Sequence, residues 1–377
     1  MQIIDSCYVC TTPFQIINAV TLAYSSKKES DLYIVPQFSG ASDYYQRIVK
    51  TGIFRKVVVV NSESIEKYKQ YKNMFLFYGG IVWNYLRISS VVKSILIPDT
   101  EYKNIYTSSK ANIGRLICLY YIRKSKKAEF FYFDDGEGSY DNVSLLSPKK
   151  ADAFIRKMLF GKRSLNYCDT IYLYAPELFK KLNPQSSLKV RKLPSWKSDP
   201  KLLSSINYIC DFTDEKVISQ PVIFLDTLVN DIFEPDNAQK YRALRSKICK
   251  QFGKSLILKR HPRDAEETEY EVYQYKDIPF EVICANMNLN NSLFISLASS
   301  AVCMPKLLFD SEAAVMLLYN LVTPKNSNDV KRDEFYDEIQ KQYDDPGLFL
   351  IPRDDYELDE GLKKFSEMIV YDQDSQK

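Results

Sequence analysis

Histidine is almost missing from this sequence: 377 residues contain one, His261. Any imidazole chemistry must pass through that residue, and a zinc site built on several histidines is excluded. Charge of either sign is not in surplus. Lys and Arg number 51 against 48 Asp and Glu, and the resulting +3 is too small for the global field that marks a nucleic-acid-binding protein. Long apolar runs are missing as well. The least polar segment, Asn73 to Leu86, is uncharged for 14 residues between Lys72 and Arg87, whereas a membrane-spanning helix needs about 20; it is expected to be a buried helix. No basic stretch followed by an apolar one opens the chain, so no signal peptide is expected. There is no internal repeat and no low-complexity tract. The eight cysteines are scattered, mostly inside apolar runs where a thiol behaves as a small hydrophobe, which suits a reducing cytoplasm. Cys7 and Cys10 make a C-x-x-C without a second pair or a nearby histidine, so no metal is expected there.

What is present is the composition of a globular protein, 45% hydrophobic and 26% charged, with a length that suggests two domains. Tyr (28) and Phe (21) are abundant, which suits a sugar-handling surface although most aromatics fill cores. Residues 2 to 10 read as a strand running into Thr11-Thr12-Pro13, where Thr12 can cap a helix that has Pro13 at its first position. Such a unit sets the turn at the carboxyl edge of a parallel sheet, where open α/β folds bind ligands. The alternation continues. Strands are predicted at Leu32 to Val35, Lys56 to Val60, Ile105 to Ser108 and Glu129 to Phe133. Helices are predicted at Ala41 to Thr51, Asn73 to Leu96 and Ala111 to Tyr121. This is an α/β pattern with a doubly wound, mainly parallel sheet.

From Ser147 to Lys162 an amphipathic helix is predicted, with Ala151, Phe154, Ile155, Met158 and Leu159 on one stripe and Lys149, Lys150, Arg156 and Lys157 off it. The favoured expectation is that the stripe docks on its own domain and the basic face meets solvent; the other reading is a helix lying on an anionic membrane. The Pro-punctuated stretch Leu193 to Gln220 reads as a linker, dividing the chain into residues 1–205 and 206–377. A second series follows, with strands at Val222 to Leu225, Leu256 to Lys259, Phe280 to Cys284, Leu293 to Leu297 and Ala314 to Tyr319. It has helices at Ala238 to Phe252, Lys331 to Tyr343 and Tyr356 to Ile369, the last of which can be imagined packing back on the first domain.

Three stretches carry candidate chemistry. In Leu256 to Arg263 a strand delivers His261 into a loop opened by Pro262 and crowded by Lys259, Arg260 and Arg263, a setting for an anion. In Phe130 to Ser139 an aromatic strand ends in Asp134-Asp135-Gly136, which suits a general base, a metal or a capped turn. In Leu293 to Ala301 a strand empties into Ser299 and Ser300, which can cap a helix and cradle a phosphate or serve only as an N-cap pair.

Together, Cys10-Thr11-Thr12-Pro13-Phe14-Gln15, Phe133-Asp134-Asp135-Gly136, Arg260-His261-Pro262-Arg263 and Ser299-Ser300 resemble, in order, the motifs of bacterial sialyltransferases, most closely glycosyltransferase family 52 of lipooligosaccharide and capsule synthesis. The resemblance implies a GT-B fold of two Rossmann-like domains facing a central cleft, with the acceptor on the first and the donor on the second. It implies no cofactor and no metal, a CMP-sialic acid donor, a galactose-type terminal sugar of a surface glycan as acceptor, and inversion at the anomeric carbon. His261 would meet the departing phosphate, Pro262 would shape its loop, and Ser299, Ser300 and Arg260 would help hold CMP. Thr12, Asp135 and Gly136 would shape the cleft. The general base is open between Asp231, Asp226 and Asp134, with Asp231 preferred because it lies past the end of its strand. The missing N-terminal anchor suggests a cytoplasmic enzyme at the inner membrane face, the near-balanced charge leads to an expectation of no nucleic-acid partner, and the resemblance leaves scope for a homodimer. Two rivals stand beside this reading: a GT-B enzyme that uses a UDP-hexose, and a nucleotide- or glycan-binding protein without turnover.

Overall fold

The computed structural model describes residues 2–108, 111–124, 127–141, 150–264, 266–322 and 329–375, without the side chains of 329–331 and 370–375. The chain divides into two compact units, Met1–Cys210 and Asp211–Lys377.

The first unit holds a seven-stranded sheet of β1 (Gln2–Cys10), β2 (Ser30–Ile34), β3 (Lys56–Val59), β4 (Thr100–Thr107), β5 (Glu129–Phe133), β6 (Thr170–Leu173) and β7 (Lys189–Lys192). The order is β3-β2-β1-β4-β5-β6-β7 and every pair is parallel. Parallel strands buried on both faces read as near-continuous apolar runs, as β5 does with Phe130, Phe131, Tyr132 and Phe133 all buried. The edge strands carry Lys56, Lys189, Arg191 and Lys192, charges that discourage further pairing. The chain leaves β1 toward β2 and β3, then returns to its other side at β4. The β1–β4 border is therefore a topological switch point.

The second unit has β8 (Val222–Leu225), β9 (Leu256–Lys259), β10 (Leu293–Ser296), β11 (Ala314–Leu317) and β12 (Phe349–Leu350), all parallel in the order β12-β11-β10-β8-β9. Its switch point lies between β8 and β10. Phe224, Leu258, Ile295 and Met316 are in its core together with Leu358, Leu362, Phe365 and Ile369 of the last helix, Asp355–Ser375. Where the sequence suggested packing against the first half, that helix buries its apolar stripe in the core of its own unit.

Other expectations need correction. Phe280 to Cys284 is a helix, Phe280–Ala285, rather than a strand; all six residues are buried, so the apolar run has no periodicity to distinguish the two. The presumed linker is ordered: Trp196 is buried, and the helix Pro200–Ile209, capped by Asp199, buries Leu202, Ile206 and Ile209. The border expected at residue 205 falls inside that helix. β6 and β7 went unanticipated, β7 because Lys-Val-Arg-Lys has no strand-like apolar run.

The helix expected from Asn73 to Leu96 is two helices, Met74–Leu86 and Ile88–Lys93, broken at Arg87. It is not buried all round. Ile81, Tyr85, Ile88 and Val92 face inward, while Met74, Phe75, Leu76, Trp83 and Leu86 are exposed. The helix Lys150–Phe160 also reverses expectation: Asp152 and Arg156 are buried as an ion pair, and Phe154, Met158 and Leu159 face out. Tyr85 Oη donates to Asp152 Oδ1 at 2.7 Å, giving the buried pair a second partner from the neighbouring helix. Residues 142–149, including Lys149, lie outside the described residues.

Candidate active site

In the second unit, register pairs Leu225 with both Lys259 and Ser296, so β8, β9 and β10 end at one edge. The loops past those ends carry Asp226 to Asp231, Arg260 to Arg263, and Ser299 with Ser300. Sheet order puts the Asp loop in the middle and the β8–β10 switch point beneath the Asp and Ser loops.

His261 opens a turn closed by the Asp264 N–H donating to the His261 carbonyl at 2.8 Å, with Pro262 in the position where its fixed φ fits. The Arg263 N–H donates to His261 Nδ1 at 3.2 Å. A ring nitrogen that accepts carries no proton, so this bond assigns the neutral tautomer with its hydrogen on Nε2. Partial burial, then the nearby Arg263, holds the imidazole below its ordinary pKa, while Asp264 and Asp231 pull the other way. His261 is therefore a neutral donor near pH 7. Arg260 Nε donates to Asp264 Oδ2 at 3.1 Å, and its Nη2 is buried without a hydrogen-bond partner. Lys259 is buried in β9, its Nζ donates to the Lys276 carbonyl at 3.2 Å, and burial pushes its pKa down to about 8; its charge also helps to lower the pKa of His261.

The two aspartates past β8 are in opposite situations. Asp226 is buried and accepts from Tyr241 Oη at 2.8 Å, Arg245 Nη1 at 2.6 Å and the Thr227 N–H at 2.9 Å. Asp231 is exposed on the turn Val229–Ile232, and its charge is felt at His261, where it partly opposes the lowering of the imidazole pKa. Ser299 Oγ accepts from the Ala301 N–H at 3.3 Å, capping a 3-10 turn, Ser300–Cys303, that leads into the short helix Met304–Phe309. The Ser299 N–H donates to Ser296 Oγ at 3.3 Å, and Ser296 Oγ donates to the Leu225 carbonyl at 3.2 Å, tying the Ser loop to β8.

In the first unit the N-terminal motif and the paired aspartates meet at the β1–β4 switch point. Thr12 Oγ1 accepts from the Gln15 N–H at 3.3 Å, and Gln15 Oε1 accepts from the Thr11 N–H at 2.7 Å. Braced in this way, Gln15 Nε2 donates to Asp135 Oδ1 at 2.9 Å, and Ser108 Oγ, just past β4, donates to Asp135 Oδ2 at 3.1 Å. Asp134 is enclosed. Its carboxylate accepts from Tyr140 Oη at 2.8 Å, the Gly136 N–H at 3.0 Å and the Tyr174 N–H at 3.2 Å, and its carbonyl accepts from Asn18 Nδ2 at 2.7 Å. Burial outweighs those donors and pushes its pKa up to about 7. Gly136 has φ +83° and ψ −158°, a conformation open to glycine. Sequence reasoning missed Ser108, Tyr140 and Tyr174; the signal available for Ser108 was its place at the carboxyl end of a predicted strand. Among the described residues no group of three or more His, Cys, Asp or Glu is placed to hold a metal ion.

Residues 6–318 match the family described as Alpha-2,8-polysialyltransferase (POLYST). The chain belongs to this family. It is a sialyltransferase family, in keeping with the broader resemblance drawn from the motifs. No curated protein sequence matches the chain. Among solved structures, a UDP-GlcNAc 2-epimerase of Methanocaldococcus jannaschii, in complex with UDP-GlcNAc and UDP, is similar with a TM-score of 0.52 and 12% identity, over 98% of this chain and 93% of that one. The apo UGT2 of Phytolacca americana aligns with a TM-score of 0.44 and 8% identity, over 97% and 94%. At such identity the first likeness is one of fold, and two parallel-sheet α/β domains are the GT-B type of architecture.

Proposed function

We propose that this member of the family is a metal-independent, inverting sialyltransferase that uses CMP-sialic acid. The observation that carries the reading is the convergence of exposed Asp231, neutral His261 and the Ser299-Ser300 turn at one carboxyl edge. As the anomeric carbon–oxygen bond to CMP breaks, charge grows on the phosphate. The Nε2–H of His261, the hydroxyls of Ser299 and Ser300 and the positive field of Arg260 and Arg263 can stabilise it. The acceptor hydroxyl attacks the opposite face of the carbon while Asp231 takes its proton, because a sugar hydroxyl is too weak an acid to react unaided. Asp134, enclosed and fully bonded, serves in this reading as organiser of the turn that presents Asp135. The braced Gln15–Asp135–Ser108 cluster has the carboxylate and hydroxyl chemistry that suits sugar hydroxyls.

The family description favours a terminal sialic acid as acceptor over the galactose-type sugar expected from the motifs. The test is CMP release from CMP-sialic acid in EDTA, with sialic-acid-terminated and galactose-terminated acceptors and UDP-galactose as a control donor. Acceptor-dependent CMP release is expected, greater with the sialylated acceptor. Turnover of the UDP-sugar alone would overturn the donor, and CMP binding without its release from CMP-sialic acid, whichever acceptor is supplied, would favour a non-catalytic binding protein. His261→Ala is expected to fold normally and lose at least about a hundredfold in rate.

A further inference from the structure

We propose that the helices Met74–Leu86 and Lys150–Phe160 form a docking surface for an anionic lipid bilayer. Both turn apolar side chains to solvent, with Phe75 87%, Met158 68%, Phe154 65% and Trp83 58% exposed. Large apolar groups grouped on two adjoining helices mark an interaction surface rather than scattered exposure. The helices touch through Tyr85 and Asp152, and the Tyr85 and Phe160 rings meet edge to face at 5.6 Å.

Charge decides the occupant. The chain as a whole is nearly balanced, yet residues 67–98 hold five Lys and Arg and no acid, and residues 150–168 hold five with one acid, Asp152. That acid is withdrawn from the surface, buried against Arg156 and Tyr85. Lys72, Arg87, Lys150, Lys157 and Lys162 are exposed on the same segments as the apolar side chains, and Lys69 beside them pairs with Glu66, so among the described residues the local surface is apolar and predominantly basic. Phosphate headgroups over acyl chains complement this pattern. Arg87 lies 5.4 Å from the Trp83 ring centroid, a pairing that sets the indole at the level of the acyl boundary and the guanidinium among the headgroups. No described helix is long and apolar enough to cross a membrane. The contact is therefore interfacial, and it stands whether or not the donor is CMP-sialic acid.

The two tryptophans supply a clean readout, since Trp196 is buried and Trp83 is exposed. Vesicles of phosphatidylcholine with phosphatidylglycerol are expected to pellet the protein, shift its tryptophan emission to the blue and allow quenching by brominated acyl chains. Pure phosphatidylcholine vesicles are expected to do so at least tenfold more weakly. Trp83→Phe should retain pelleting and lose the blue shift. Combined Phe75→Ser and Phe154→Ser, or Lys72→Gln, Arg87→Gln, Lys150→Gln and Lys157→Gln together, should each cut partitioning at least tenfold while leaving the melting temperature and CMP release with a soluble acceptor unchanged. Failure of the wild type to bind anionic vesicles would overturn the proposal. So would equal binding by the charge-depleted variant, or a concentration-dependent dimer that Phe75→Ser abolishes.

Discussion

At the scale of single residues, Asp226 and Asp231 show how little residue type says about role. Asp226 neutralises Arg245, whose side chain is only 8% exposed. Asp226→Asn strands that guanidinium with Glu266 Oε2 at 3.5 Å as its remaining anionic partner, and should cost about 3 kcal/mol in chemical unfolding. Asp231→Asn should leave stability within about 0.5 kcal/mol and lower turnover at least about a hundredfold. The opposite pattern would exchange their roles. Asp134 supplies a pH test. Burial lifts its pKa to about 7, against an unfolded value of about 3.9, so the folded state holds the proton more tightly. Its contribution to stability is full below about pH 4 and is lost as pH rises through about 7. The melting temperature should therefore fall between about pH 4 and pH 7, and Asp134→Asn should flatten that fall. A pH-independent wild-type melting temperature across the range would rule out this titration.

At the scale of elements, the strands and helices that the sequence disclosed best were those whose signals are local. The helix Ala41–Thr51 and strands β8 and β9 lie where they were predicted, because short apolar runs bounded by turns and good helix starts need no tertiary information. The orientation of Lys150–Phe160 was hidden for the opposite reason. An apolar stripe is assumed to face inward, and only the partner helix, offering Tyr85 to Asp152, makes burial of the polar side favourable. The motifs were legible as motifs, but not the division of labour within Asp134-Asp135, which depends on Tyr140 six residues on and on donors from Tyr174 and Ser108 far away in sequence. Close packing gives one further prediction. A Cβ at Gly114, in the helix Asn112–Lys124, would lie 2.0 Å from Thr107 Oγ1 and 2.8 Å from its Cβ. Gly114→Ala should push that helix off the end of β4, destabilise by about 1–3 kcal/mol, and lower activity by displacing the adjoining Ser108 from Asp135.

At the scale of the whole molecule, two sheets with separate cores allow a ligand to act on one of them. CMP should slow hydrogen exchange in the second unit, at the loops after Leu225, Lys259 and Ser296, and leave β1 to β7 unchanged. Protection confined to the first unit would reverse the assignment of the donor side. Each unit binds at its own switch point in this reading, so sheet order alone says where to look. A last consequence concerns the cysteines. All eight are buried, and burial pushes the thiols of Cys7, Cys10, Cys118, Cys168 and Cys249 above their usual range. To a maleimide the folded protein is a blank page. One cysteine placed at Phe75 would be its sole reactive thiol, and a polarity-sensitive dye attached there would show the moment the chain meets a lipid surface.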